Sequence, residues 1–203
     1  MNLRVRTLSG AGLGLLLLCA LASLAFGARV VAPDVVVRTL LHAFPGGHEE
    51  RVILERIPRT VFSMTAGAAL GVSGALMQAI TRNPIADPGI LGVNTGASLF
   101  VVLGIAFFHI GSPAGYIGFA LAGAAITSIF VYGIGSLGSG GATPVKLALA
   151  GAATSAALSS LVSAVILPRT DVMNAFRFWQ VGSVSGATWE GIATVLPFLL
   201  GGC

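Results

Sequence analysis

Charged side chains are scarce in this sequence. Only 9% of its 203 residues are Asp, Glu, Lys or Arg, 55% are apolar, and the mean hydropathy is +0.94. A globular domain in water carries about 25% charged residues, so these few charges could not cover the surface of a soluble domain. The composition excludes most soluble enzymes and indicates a membrane protein.

Cysteine is equally scarce. Cys19 lies in an apolar run and Cys203 is the last residue, so the sequence shows no spacing typical of zinc, haem or a disulfide framework. The net charge of +4 comes from cations scattered along the loops, without a basic block, and this pattern does not favour nucleic-acid binding. We expect neither a metal nor a cofactor.

Two histidines and two carboxylates gather before the second apolar run. They are His42, His48, Glu49 and Glu50. In a glycine-containing loop these side chains do not fix a coordination geometry, so we interpret the segment as a solvated loop and not as an iron site. Residues 30–44, which include His42, show helical amphipathicity, which favours a helix at the membrane interface.

Five apolar stretches are each long enough to cross a bilayer, which takes about 20 helical residues. They are Leu8 to Phe26, Val61 to Ile80, Gly89 to Ile110, Tyr116 to Gly135 and Leu147 to Leu167. A sixth begins at Trp189 and stops at Leu200, about 18 Å of helix. The sequence predicts an all-α, polytopic transmembrane bundle with five full spans and a truncated sixth.

The first apolar stretch has two interpretations. Arg4 and Arg6 precede it and Ala25 and Gly27 would suit a cleavage site, as in a signal peptide. Because its apolar core is long and further spans follow, we expect an uncleaved helix with a cytoplasmic N-terminus. The count of loop cations alone opposes this orientation, but the first helix usually dominates it.

The five full stretches contain no Asp, Glu, Lys or Arg. Carriers driven by protons or sodium usually need buried ionisable groups or broken-helix ion sites, so a passive pore or a path opened by a separate ATPase fits better. The glycines at 138–141 lack the ending of a phosphate-binding loop. Small residues four apart predict close helix packing at Gly67/Gly71, Gly92/Gly96, Ala148/Ala152 and Ala156/Ser160/Ala164.

An ordered series of motifs names a family. The series comprises Arg-Ile-Pro-Arg-Thr at 56–60, Gly-Ala-Ala-Leu-Gly at 67–71, Asn-Pro-Ile-Ala-Asp-Pro-Gly-Ile-Leu-Gly at 83–92, Leu-Ala-Gly at 149–151 and Phe-Trp-Gln-Val-Gly-Ser at 178–183. It resembles the FecCD-type permeases, the membrane subunits of ATP-driven importers for ferric siderophores, haem and cobalamin. The resemblance implies a second permease subunit, identical or different, ATP-binding cassette subunits and a periplasmic or lipid-anchored binding protein, in a bacterial cytoplasmic membrane.

Two arginines lie at the membrane rim, with Pro58 expected in the first helical turn, where its missing N–H costs nothing. Arg56 and Arg59 are three apart and share a helical face. The resemblance assigns both to docking of the binding protein through its acidic residues. The alternative is that the arginines snorkel to lipid headgroups.

Two further sets of residues follow from the pattern. Asn83, Pro84, Asp87 and Pro88 forbid a continuous helix and predict a cytoplasmic hinge in which Asp87 caps the next helix. The fifth span carries the hydroxyl residues Thr154, Ser155, Ser159 and Ser163. The serines lie four apart and share a stripe, which suits a path for a bulky polar complex, as the resemblance implies. Alternatively, the hydroxyls bond to their own helix carbonyls or hold neighbouring helices.

The chain departs from the resemblance after the sixth span. Family members have about ten spans, and the loop that contacts the ATPase follows the sixth. We therefore expect residues 1–203 to form a single but incomplete permease domain that neither catalyses a reaction nor transports alone. A passive channel or carrier and a non-transporting membrane scaffold are the rival hypotheses.

Overall fold

The structure, a computed structural model, describes residues 3–27, 30–42, 47–138 and 140–201, and every regular element in these ranges is helical. The α-helices are α1 (Leu3–Ala25), α2 (Pro33–His42), α3 (His48–Thr81), α4 (Val93–Phe108), α5 (Pro113–Gly135), α6 (Pro144–Ile166), α7 (Thr170–Val181) and α8 (Trp189–Gly201). A 3₁₀ helix, Pro88–Leu91, precedes α4. The predicted all-α fold is confirmed.

Four of the described helices, α1, α3, α5 and α6, are long and apolar enough to cross a membrane. Helix α4 has 16 residues, about 24 Å of helix. Our prediction of one continuous span over 89–110 was wrong, because Gly92 adopts a left-handed conformation (φ 69°) between the 3₁₀ helix and α4. Helix α8 has 13 residues, in agreement with the short sixth stretch. The chain is a multi-pass membrane protein.

Helix α3 begins much earlier than predicted. It has 34 residues, about 51 Å of helix. The solvated loop that we expected around His48 is instead its first turn, where Glu49 and Glu50 lie at the positive end of the helix dipole. The Gly47 N–H donates to Glu50 Oε2 at 3.1 Å and helps to cap the helix.

The expected position of Pro58 was also wrong, because this residue lies inside α3 and not in its first turn. Proline has no N–H to donate to the carbonyl of residue 54. Its side chain is buried, and the helix continues through it.

The amphipathic segment predicted over 30–44 contains α2. Val36 and Thr39 are buried on one side of this helix, whereas Leu40 and Leu41 are exposed. Its location at a membrane interface stays a prediction. Helix α7, for which the sequence analysis made no prediction, buries Val172 and Phe176.

The chain divides into two compact units, the boundary falling within α3 after Ala68. The first unit contains α1, α2, the first part of α3 and α8, and its core consists of Leu24, Val31, Val36 and Ile53. The second contains the rest of α3 and the elements through α7, and its core consists of Leu99, Val101, Val102, Val162, Val172 and Phe176. That the whole chain acts as one permease domain stays a prediction.

Glycines set the helix distances in the second unit. A Cβ at Gly96 would meet the Thr127 side chain and, at 2.7 Å, the Gly123 carbonyl oxygen, so α4 and α5 touch through backbone. The predicted close packing at Gly92 and Gly96 is therefore confirmed. It was wrong for Gly67 and Gly71, whose Cβ positions have no described atom within 4 Å.

The alanine series of α6 also differs from the expected packing. Ala152, Ala156, Ser160 and Ala164 are exposed in the described structure. The helix instead packs through Gly151, which abuts the Ile90 carbonyl. Small residues are common in membrane helices, so their spacing alone does not say which of them lie at a contact.

Candidate functional site

Arg56 is bonded to the end of α1. Its Nη1 donates to the carbonyl oxygens of Leu24 at 2.8 Å and Ala25 at 3.2 Å. The last carbonyls of a helix lack helical N–H partners and form the negative end of its dipole, so a guanidinium there is stabilising. Gly27 permits this approach, because a Cβ at that residue would lie 2.8 Å from Arg56 Nη2.

Arg59 is in a different situation. It is exposed, and its side chain makes no hydrogen bond or ion pair with any other residue that the structure describes. It lines a hollow of about 460 Å³, here called the first hollow, whose walls also include Ser23, His48, Glu55 and Arg56. The structure thus brings the two predicted arginines to one hollow and ties only Arg56 into the fold.

A second hollow of about 440 Å³ lies beside the first. Glu55 and Arg59 line both hollows, so their side chains form the ridge between them. Pro58 and Trp189 belong to the wall of the second hollow, and Trp189 is 57% exposed. A free guanidinium with its fork of N–H donors can bind a carboxylate in bidentate fashion, and Trp and Arg are the residues enriched at binding hot spots.

Neither Glu55 nor the connection at residues 184–188 was recognised from the sequence. Glu55 and Arg59 lie four apart on α3, a spacing that would have identified Glu55 as a neighbour of Arg59. The connection is distant in the chain, and only the tertiary fold brings Val184 and Ser185 to the first hollow.

The predicted hinge is a compact turn followed by a capped helix. Asn83 Oδ1 accepts from the Ile85 N–H at 3.2 Å, and Asp87 Oδ1 accepts from the Gly89 N–H at 2.7 Å. Asp87 is the N-cap of the 3₁₀ helix, whose first residue is Pro88. The carboxylate therefore has a structural role, and the cytoplasmic position of the turn stays a prediction.

Asp87→Ala is expected to lower the free energy of unfolding by roughly 0.5–2 kcal/mol, because the cap is lost. Asp87→Asn should keep most of it, since the amide oxygen also accepts a hydrogen bond. Detergent-solubilised chain titrated with SDS and followed by circular dichroism would measure both variants. Equal stability of Asp87→Ala and the native chain would contradict the capping role.

The structure separates the four residues of α6 that we predicted to border the path. Thr154 lies on the buried side of the helix with Gly151 and Val162, whereas Ser159 and Ser163 are exposed. Ser155 is half-buried, its Oγ 3.2 Å from the Cβ position of Gly92. Ser163 Oγ donates to the Ser159 carbonyl at 3.0 Å, so one hydroxyl makes the backbone bond that we had weighed as the alternative.

Comparison with known protein families gives a match over most of the chain. The model of the FecCD transport family matches residues 15–203. The chain belongs to the FecCD transport family. The match extends over both the arginine-bearing part of α3 and the turn before α4.

Relatives in this family include iron-uptake permeases. The chain is 44% identical over 203 residues to the ferric enterobactin transport system permease of Escherichia coli, covering 97% of the chain and 60% of the relative. It is 46% identical to the Fe(3+)-citrate import system permease YfmD of Bacillus subtilis, over 75% of the chain and 45% of that protein.

A solved structure of the same kind has a similar fold. It is a metal-chelate-type ABC transporter in an inward-facing conformation, and the comparison gives a TM-score of 0.70 at 27% identity over 96% of this chain and 59% of that one. The chain spans about 60% of the length of the ferric enterobactin permease and less than half of the YfmD permease.

Proposed function

We propose that the chain forms part of the membrane permease of a binding-protein-dependent, ATP-driven importer for a ferric siderophore or a related iron chelate. The observation that carries the proposal is its 44% identity, over 97% of its length, to a ferric enterobactin permease. The apolar core of α5 and α6 has no charged residues, which argues against a carrier driven by protons or sodium and agrees with an ATPase on a separate subunit.

The proposal includes the partners and the location. A second permease subunit, ATP-binding cassette subunits that hydrolyse ATP, and a periplasmic or lipid-anchored binding protein complete the importer. The chain itself catalyses no reaction. It lies in the bacterial cytoplasmic membrane with its N-terminus in the cytoplasm.

The residues then have distinct roles in alternating access. The binding protein docks through an acidic side chain on Arg59, while Arg56 lines the same hollow and holds the end of α1 in place. The chelate enters a path bordered by Ser155, Ser159 and Ser163, with Thr154 packed inside the unit. When the ATPases close, α3 and α4 move relative to one another about the turn between them. This turn contains Asn83, Pro84, Asp87 and Pro88.

A chimera tests this proposal. The aligned part of the Escherichia coli ferric enterobactin permease is replaced by residues 1–203 in a strain that lacks the permease, and uptake of iron-55 enterobactin is measured. We expect uptake that disappears when the partner ATPase carries a hydrolysis-deficient site. Uptake without ATP hydrolysis would favour the passive channel, and no uptake by a chimera that is inserted in the membrane would favour the scaffold.

Arg59→Glu in the chimera is expected to lower uptake at limiting binding protein by about tenfold or more, because the carboxylate would repel the acidic docking residue. Arg51→Glu is the matched control, since it makes the same charge change on an exposed residue of α3 that lines neither hollow. Equal uptake by Arg59→Glu and Arg51→Glu would contradict a docking role for Arg59.

A further inference from the structure

Glu55 stands on the ridge between the two hollows beside the arginine assigned to docking. Like Arg59, it is exposed, and its side chain makes no hydrogen bond or ion pair with the rest of the described chain. A carboxylate one turn before a guanidinium on a helix is close enough to pair with it. The Glu55 carboxylate and the Arg59 guanidinium are instead both left unpaired and accessible at the ridge.

The chain contains its own comparison for this spacing. Asp34 and Arg38 are also four apart on a helix and also exposed, and their side chains pair at 2.9 Å. Glu55 and Arg59 have the same order and spacing but form no ion pair of 4.0 Å or less. The separation at the ridge therefore does not follow from helix geometry, because the same geometry permits pairing in α2.

The two hollows leave the charged side chains of Glu55 and Arg59 accessible to a partner from both sides. Volumes of about 460 and 440 Å³ lie on either side of the ridge, and each is within the range that takes up a bound group. Trp189 provides an exposed aromatic surface in the second hollow. The ridge and the second hollow thus offer a carboxylate, a guanidinium and an indole ring, of which Arg and Trp are residue types enriched at hot spots between proteins.

We propose that the surface formed by Glu55, Arg59 and Trp189 recognises a protein surface of mixed charge. In this contact a carboxylate of the partner binds Arg59 and a neighbouring lysine or arginine binds Glu55. Glu55 then determines specificity, because a partner that carries only acidic groups at this place is repelled by it. The inference rests on the proposed docking of a binding protein and adds a second, oppositely charged contact to it.

The inference is tested by whether removal of the Glu55 charge strengthens or weakens binding of the partner protein. If the partner surface were purely acidic, removal of the Glu55 charge would strengthen binding. If a partner cation faces Glu55, the same change weakens binding. The chain is placed in lipid nanodiscs, and its dissociation constant for the substrate-binding protein of the Escherichia coli ferric enterobactin system is measured by biolayer interferometry.

We expect Glu55→Gln to weaken binding about threefold and Glu55→Lys about tenfold, as for exposed charge pairs and for like-charge repulsion. Glu190→Gln is the matched control, because Glu190 is an exposed carboxylate of the same unit that lines neither hollow. A lysine or arginine of the binding protein, found by reversing its surface cations one at a time, should restore binding to Glu55→Lys when changed to glutamate.

The two proposals fail differently. Unchanged or tighter binding by Glu55→Gln and Glu55→Lys, together with lost binding by Arg59→Glu, would overturn the role of Glu55 and leave docking at Arg59 intact. Binding that is insensitive to Arg59→Glu, or no binding by the native chain, would remove the docking site itself and this inference with it.

Discussion

Gly151→Leu is expected to prevent normal packing of the second unit. A Cβ at Gly151 would overlap the carbonyl oxygen of Ile90 and lie 3.5 Å from the Leu91 Cα. These are backbone atoms, which cannot rotate away as a side chain can. Overpacking of a core typically costs 1–3 kcal/mol, and we expect on the order of 3 kcal/mol or more here, because the 3₁₀ helix would have to leave α6.

The measurement is the midpoint of SDS-induced unfolding of the 203-residue chain, with the folded fraction followed by circular dichroism. Gly71→Leu is the control, because it adds the same side chain to a helical glycine with open space around it. Leucine has the better helix propensity, by up to about 1 kcal/mol, so this variant should be at least as stable as the native chain. Equal behaviour of the two variants would show that the contact at Ile90 does not limit the fold.

Arg56→Gln is expected to destabilise the first unit by about 1.5–3 kcal/mol, the usual contribution of hydrogen bonds to a charged group. The change removes the guanidinium from the Leu24 and Ala25 carbonyls at the end of α1. Gly27→Ala should act in the same direction, because the added Cβ would displace Arg56 Nη2. The free energy of unfolding of both variants can be obtained from the same SDS titration.

Arg59→Gln provides the internal control for this effect. It removes the same group three residues further along α3, where the side chain is exposed and has no described partner. Such a surface change usually alters stability by no more than about 0.5 kcal/mol. A loss as large as that of Arg56→Gln would mean that Arg59 also stabilises the fold.

The roles of Arg56 and Arg59, two arginines of one motif, can thus be distinguished by experiment. Both line the first hollow, and loss of docking by an Arg56 variant alone would not distinguish a direct contact from a displaced α1. Stability and docking measured together on both variants make that distinction, since an Arg59 variant should change docking only.

Much of the fold could be predicted from composition and apolar run length. Helices α1, α3, α5 and α6 lie where the sequence predicted spans, because a chain with so few charges has to satisfy its backbone by helical hydrogen bonds in lipid. The ordered series of motifs between residues 56 and 183 was sufficient to indicate the family that the comparison confirmed. Asp87 was also recognisable as a cap from its place before Pro88.

The helix ends and contacts could not be predicted in this way. The early start of α3 depends on capping of a polar first turn that apolar run length does not detect. The break at Gly92 depends on a left-handed backbone conformation that an apolar run does not reveal. Of the spaced glycines, Gly96 lies against another helix and Gly67 does not, and their local sequences do not distinguish them.

The sequence by itself determined that this protein is a helical membrane protein of the FecCD kind, because apolar length and an ordered set of motifs are properties of the chain. Only the tertiary structure decided that Arg56 holds α1, that the Arg59 side chain stays unpaired and that Glu55 and Arg59 both line two hollows. The physical reason is that these roles depend on which groups approach from distant parts of the chain. A carbonyl at residue 24 and a connection at 184–189 are not visible from the spacing of residues on α3.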